Sequence, residues 1–244
     1  MSLAKDLEAL DDTFESEAEA IAFPPSDLMS DEPPLESELH LRQLVLLIQC
    51  LEWWWRDRQD FYAFGNLTIY YSPHQFKSEK FRGPDFFVVL GTERRSRNSW
   101  VVWEENGKYP NVIVEILSPS TSSTDRGLKK QIYQDTFRTP DYFWFDPKSL
   151  EFKGFHLVDG SYQEIQPNEA GYLWSQQLQL YFGIHNSQLR LFTPEGSLLP
   201  TPEELVAQEN QRIEQIQSQL EQEQQRAERL AEKLRELGID PSEV

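Results

Sequence analysis

Cysteine is almost absent from this chain. One residue, Cys50, in 244 excludes a disulfide-stapled scaffold and any Cys-rich metal site. Because it lies inside an amphipathic stretch, Cys50 is expected to be a small core residue in a reducing compartment. Long apolar runs are missing too: the greasiest segment, Leu44 to Trp55, contains Gln49 and Glu52 and is too short to cross a bilayer. No membrane partner is expected. The segment Met1 to Ala20 carries acidic residues where a secretory leader carries basic ones, and no apolar core follows, so the expected location is cytoplasmic.

Positive charge is also scarce, with 23 Lys and Arg against 41 Asp and Glu, for a net charge of -18. Phosphate binding draws on Lys and Arg, so the total argues against a nucleic-acid partner. Its distribution weakens that objection. Residues 1–38 hold twelve acidic and one basic residue, and residues 201–244 hold eleven acidic and five basic, which leaves 39–200 at -1. Within that stretch Lys77, Lys80, Arg82, Arg94, Arg95 and Arg97 flank Pro84-Asp85, while Arg126, Lys129 and Lys130 follow Glu115. Either a basic patch around two carboxylates or a solvated rim of charges is consistent with this pattern. Arg82, Arg126 and Lys130 are the candidate nucleic-acid contacts.

What remains is enough for one principal domain, since 39% of the residues are hydrophobic and 13% aromatic. Residues 1–34 read as an acidic arm or extended lead-in ending in Asp31-Glu32-Pro33-Pro34. From Leu39, the positions Leu41, Leu44, Val45, Ile48, Leu51 and Trp55 follow helical spacing, and Trp53-Trp54-Trp55 reads as core and helix-end packing. Strands are expected over Phe61 to Tyr71, with a turn or bulge at Gly65-Asn66, and over Phe86 to Leu90, Trp100 to Glu104, Val112 to Leu117 and Tyr142 to Phe145. A helix carrying Leu128, Ile132 and Tyr133 separates the last two, and hairpins are expected at Asp159-Gly160 and Pro194-Glu195-Gly196. The expected class is α/β, with a mixed sheet flanked by helices.

Residues 201–238 follow a different pattern. Val206, Ile213, Leu220, Ala227 and Leu234 recur every seven residues; Ile216, Leu230 and Leu237 fall three residues after members of that series, and Glu209 and Glu223 interrupt the second series. This predicts a coiled-coil helix forming a homodimer, with an amphipathic helix lying on the core as the alternative. Gly238 and Pro241 supply the stop, leaving 239–244 as a tail.

The chemistry-bearing feature is Glu115 within Val112-Ile113-Val114-Glu115-Ile116-Leu117. A strand apolar on both faces is buried, and an ionised carboxylate there costs several kcal/mol unless a cation or donors compensate it. Asp85 precedes another strand, so a sheet can bring the two carboxylates to one edge, where they suit Mg2+ or Mn2+. An Arg ion pair at Glu115 and an ordinary Pro-Asp turn at Asp85 are the competing readings. Asp125, Lys129 and Tyr133 lie at i, i+4 and i+8 on one helix face. From there Lys129 is placed to position an attacking water and offset phosphate charge. Asp125 as a helix cap, Lys129 as a surface lysine and Tyr133 as a core residue stay open.

These strings resemble the Uma2 family of restriction-endonuclease-like proteins in the PD-(D/E)XK nuclease superfamily. The resemblance spans roughly residues 36–150 and rests on Gly83-Pro84-Asp85-Phe86-Phe87-Val88-Val89, Val114-Glu115-Ile116-Leu117-Ser118-Pro119-Ser120-Thr121, Asp125-Arg126-Gly127 with Lys129 and Tyr133, and Pro140-Asp141-Tyr142 leading to Asp146-Pro147. It implies that residues 35–200 form a nuclease-like domain with a restriction-endonuclease-like core, and that Asp85 and Glu115 bind Mg2+ or Mn2+. The superfamily's lysine would stand two residues after the glutamate, where this chain has Leu117, so the resemblance assigns that role to Lys129. Glu36 is a further candidate acid of the site, and His40, one turn on, is a candidate for packing or capping. The implied function is a metal-dependent endonuclease acting on DNA. The alternative is a catalytically silent nuclease-fold protein that binds nucleic acid or protein partners, with Glu115 paired to Lys129 or Arg126.

Overall fold

The computed structural model describes residues 28–30, 32, 37–72, 83–118 and 125–237, without the side chains of Asp125 and Arg126. Its centre is a mixed six-stranded sheet in the order β1-β3-β5-β6-β7-β8, formed by Phe61–Gly65, Phe86–Leu90, Val112–Ile116, Asp141–Phe145, Phe152–Val158 and Ser161–Glu164. The pair β5 and β6 is parallel, and every other neighbouring pair is antiparallel. Every residue of β5 and β6 is buried, as their near-continuous apolar and aromatic sequences require of strands covered on both faces.

One face of this sheet packs on helix α1 (Glu38–Trp54) and on a three-stranded sheet of β9 (Leu173–Ser175), β10 (Leu180–His185) and β11 (Gln188–Phe192). The other face is covered by α2 and by a parallel two-stranded ribbon of β2 (Ile69–Tyr70) and β4 (Trp100–Val101). Helix α2 begins as a π-helical stretch, Asp125–Lys129, and continues as α-helix over Lys130–Asp135. The expected strand from Phe61 to Tyr71 is therefore two strands in two sheets, divided where Asn66 takes φ 48°. Leu28, Met29, Ser30 and Glu32 bond to Ser99, Tyr70, Thr68 and the Gly83 amide, which fixes the lead-in against the ribbon.

Helix α1 buries Leu44, Leu51 and Trp55 of the expected apolar stripe and packs Ile48 against the core, but its inward face is rotated away from Leu41 and Val45. Leu41 and Val45 are exposed, whereas His40, Gln43, Leu44, Leu47, Cys50 and Leu51 face inward. Gln43 decides the rotation, because its amide exchanges two hydrogen bonds with the Leu189 backbone of β11, at 2.8 and 2.9 Å. Of the three tryptophans only Trp55 is buried, edge-on to Phe61; Trp53 and Trp54 are exposed. The Asp159-Gly160 hairpin joins β7 to β8 as expected. Pro194-Glu195-Gly196 instead forms the turn after β11, closed by one bridge between Phe192 and Leu198. The β10 to β11 hairpin turns at Asn186-Ser187, both at positive φ without glycine. A 35-residue helix, α3 (Pro202–Glu236), ends the described chain. Among the described residues, no helix is long and apolar enough to cross a membrane.

Candidate functional site

The site is set by strand register. β3 and β5 pair antiparallel with Phe86 opposite Val114, so one step further along the pair Asp85 stands across from Glu115 on the same face. The Ile116 N–H donates to Asp85 Oδ2 at 2.7 Å, which pins the aspartate to the end of β5. Its other oxygen lies 3.1 Å from His40 Nε2, carried in from the first turn of α1, where Ser37 caps the helix by accepting the His40 N–H. Close backbone approach completes this corner: the Asn66 N–H donates to the Asp85 carbonyl at 3.0 Å, and a Cβ on Gly65 would collide with that carbonyl and with Leu44.

Glu115 is fully buried and its compensating groups come from α2. Lys129 Nζ donates to both carboxylate oxygens, at 3.2 and 3.1 Å, and to the Gly83 carbonyl at 3.4 Å. The Tyr133 hydroxyl donates to Glu115 Oε1 at 2.6 Å. Four residues separate Lys129 from Tyr133, so one helical turn aims both at the same carboxylate. The wider π-helical winding ends at Lys129, a local geometry that recurs at functional sites.

Two buried carboxylates side by side repel. Burial pushes the Asp85 carboxyl up, but the His40 hydrogen bond and the Lys129 charge outweigh it and hold the group below its ordinary value. The available donors, Asp85, Glu115 and the Gly83 carbonyl beside Lys129, are all hard oxygens, and they fit Mg2+ or Mn2+ better than a softer metal. Among the described residues no group of three or more His, Cys, Asp or Glu side chains is gathered as a metal centre.

The structure thus brings together Asp85, Glu115, Lys129 and Tyr133 and adds His40 to them. Leu117 is buried against the aromatic layer under α2 and gives its N–H to the Phe145 carbonyl, whereas Lys129 reaches Glu115. Glu36 and Arg82 lie outside the described residues, as do the side chains of Asp125 and Arg126. Lys130 points elsewhere: its Nζ sits 3.4 Å from the centre of the Phe155 ring on β7, and burial pulls its pKa down. Arg94, Arg95 and Arg97 do not surround the carboxylates either. Arg97 and Arg95 clamp Glu105, and Arg94 covers Phe61, at the end of β1 where it pairs with Leu90, far from Asp85. The sequence marks His40 only as one helical turn after Glu36, and the tertiary fold shows that it meets Asp85.

A family model described as "Putative restriction endonuclease", Uma2, matches residues 7–191. The chain belongs to the Uma2 family. The match encloses Asp85, Glu115, Lys129 and Tyr133 and leaves α3 outside. An uncharacterized protein of Synechocystis sp. (strain ATCC 27184 / PCC 6803 / Kazusa), slr1290, is 29% identical over 82 residues, covering 34% of this chain and 40% of that relative. A solved structure entitled a putative nuclease belonging to DUF820 from Anabaena variabilis ATCC 29413 aligns with 14% identity and a TM-score of 0.45, over 60% of this chain and 76% of that one.

Proposed function

We propose that this Uma2 protein is a divalent-metal-dependent endonuclease that hydrolyses phosphodiester bonds of DNA at the Asp85, Glu115 and Lys129 cluster. The observation that carries the reading is the cross-strand opposition of two buried carboxylates with a single lysine laid over one of them. Asp85 and Glu115 would hold Mg2+ or Mn2+, which supplies Lewis acidity at the scissile phosphate and lowers the pKa of a bound water.

The chain's own groups prepare that chemistry. Tyr133 fixes the rotamer of Glu115 through its hydroxyl, and the Ile116 N–H and His40 fix that of Asp85, so both carboxylates are preorganised. Lys129 is mostly buried, so its ammonium acts in a low-dielectric setting, where it orients a water and offsets charge on a phosphate oxygen. In-line attack on phosphorus with departure of the 3′ oxygen leaves 5′-phosphate and 3′-hydroxyl ends.

One observation favours a second reading: Lys129 and Tyr133 already satisfy Glu115, as a purely structural buried ion pair would. In that case the domain binds nucleic acid or protein without turnover. Nicking of plasmid and single-stranded DNA, assayed with Mg2+, Mn2+ and chelator beside an Asp85→Ala control, separates the two. Metal-dependent nicking lost in the control supports the enzyme. Calorimetric titration with no heat at millimolar metal, together with no nicking, overturns it.

A further inference from the structure

The lead-in is tied to the ribbon residue by residue. The Ser99 hydroxyl donates to the Leu28 carbonyl at 2.7 Å, the Tyr70 hydroxyl to the Met29 carbonyl at 3.1 Å, and the Thr68 N–H to Ser30 Oγ at 3.0 Å. This strap brings Glu32 to the start of the Gly83-Pro84-Asp85 turn. There Glu32 Oε1 accepts the Gly83 N–H at 2.5 Å and the Thr68 hydroxyl at 3.0 Å. A backbone N–H on a carboxylate makes a charge-assisted bond, shorter and stronger than one between neutral groups.

Gly83 passes through a narrow slot. A Cβ there would stand 2.2 Å from the Leu67 carbonyl oxygen and 3.0 Å from Glu32 Oε1, so the close approach of strap and turn requires glycine. Pro84 has no N–H, and the last amide before Asp85 that can take such an anchor is therefore that of Gly83. The carbonyl of the same residue faces the site. It receives Lys129 Nζ at 3.4 Å, and that ammonium also reaches both Glu115 oxygens, at 3.2 and 3.1 Å.

We propose that Glu32 is a positioning residue of the candidate active site: through the Gly83 amide it fixes the direction of the Gly83 carbonyl, and through that carbonyl the place of the Lys129 ammonium beside Glu115. The consequence for turnover rests on the nuclease reading, whereas the placing of Lys129 does not. Glu32 acts here as a hydrogen-bond acceptor. Glu32→Gln keeps an acceptor oxygen for both donors, and Glu32→Ala keeps none.

The test reads Lys129 in the full chain, first in chelator and without DNA. Lys129 is mostly buried and hydrogen-bonded, so its acetylation by acetic anhydride, followed by peptide mass spectrometry, is slow in wild type. Glu32→Ala is expected to speed that acetylation about tenfold, as loss of one charge-assisted bond implies, and Glu32→Gln to stay within about threefold of wild type. Ser99→Ala frees the strap at Leu28, leaves Glu32 in place and should match wild type. If Glu32→Ala does not fold, Thr68→Val removes the hydroxyl that holds the Glu32 carboxylate and should raise the rate in the same direction. Nicking with Mg2+ is the second readout: Glu32→Ala should lower kcat by about tenfold to a hundredfold at unchanged KM for DNA, and Glu32→Gln should restore it.

An acetylation rate in Glu32→Ala equal to that of wild type overturns the proposal. So does a Glu32→Gln variant as reactive as Glu32→Ala, which makes charge and not the hydrogen bond the operative feature, and so do equal rises in Glu32→Ala and Ser99→Ala, which make Glu32 one more tether of the strap. A wild type that does not nick DNA removes the nuclease reading, and the acetylation pattern still decides whether Glu32 places Lys129.

Discussion

Two adjacent parallel strands of this sheet each bury a carboxylate, at opposite ends. Asp141 opens β6 opposite Val112, and Glu115 lies three residues further along β5, about 10 Å away. Both are fully buried; Glu115 interrupts an apolar strand, and Asp141 begins one. Their surroundings differ. Asp141 accepts from the Ser175 hydroxyl at 2.6 Å and the Gln177 N–H at 3.0 Å, and its other oxygen lies 2.6 Å from His156 Nδ1. These contacts tie β6 to β7 and to the second sheet at β9, and no second carboxylate faces it among the described residues. Glu115 has a carboxylate across the strand pair and an ammonium from a helix. A buried acid is therefore not in itself a mark of chemistry. What distinguishes the Glu115 end is a second buried carboxylate across the strand pair beside a helix-borne ammonium.

That contrast breaks first at activity. Replacing Asp85 or Glu115 by Ala should remove metal-dependent nicking, a loss of at least about a thousandfold on the scale of deleting an essential group. Asp141→Ala should leave nicking per folded molecule unchanged; equal losses at both ends would erase the distinction. Lys129→Gln should cost on the order of 10²- to 10⁴-fold in turnover, the usual contribution of a positioned proton-transfer group. Retention of full turnover in this variant would return Lys129 to the role of a structural counter-ion.

The ends trade places when stability is measured. Asp141→Ala strands the Ser175 hydroxyl, the Gln177 N–H and His156, so urea unfolding should show a loss of about 3–5 kcal/mol. Asp85→Ala removes one of two repelling acids and should cost less. A larger loss at Asp85 than at Asp141 would make the catalytic end the structural clamp.

The sequence made the chemistry of the Glu115 end legible, whereas Asp141 stood out only as part of the Pro140-Asp141-Tyr142 string, with no role attached. Glu115, Lys129 and Tyr133 sit at spacings with one geometric consequence, since a helical turn brings i and i+4 together over a strand. Asp85 was visible through its motif, but its opposition to Glu115 depends on a β3 to β5 register that spacing does not encode. The Asp141 clamp needs Ser175 and Gln177, more than thirty residues away, so no local pattern announces it. The rotation of α1 was hidden for the same reason: Leu41 and Val45 satisfy helical periodicity, but the bonds from Gln43 to β11 are long-range and decide which stripe turns inward. Strand positions were well marked by β-branched and aromatic runs, whereas the split between β1 and β2 followed from Asn66 and from which sheet each half joins.

Acid should expose the smallest difference between the ends. Burial alone would raise the Asp85 carboxyl, but the hydrogen bond from His40 and the charges of Lys129 and His40 leave it below its ordinary value of 3.8. A carboxyl depressed on folding binds fewer protons in the native than in the unfolded state near and below that value. Its stabilisation is thus complete above the unfolded pKa and is lost as pH falls from about 3.8 through the lower folded pKa. Urea unfolding of wild type should weaken more between pH 5 and pH 3 than that of Asp85→Asn, which has no carboxyl to protonate. His40→Ala removes the group that contributes most to the depression and should shrink the wild-type slope toward that of Asp85→Asn. Identical slopes in wild type and Asp85→Asn would mean that His40 and Lys129 do not hold Asp85 ionised, and that the preorganised pair of carboxylates is absent without metal.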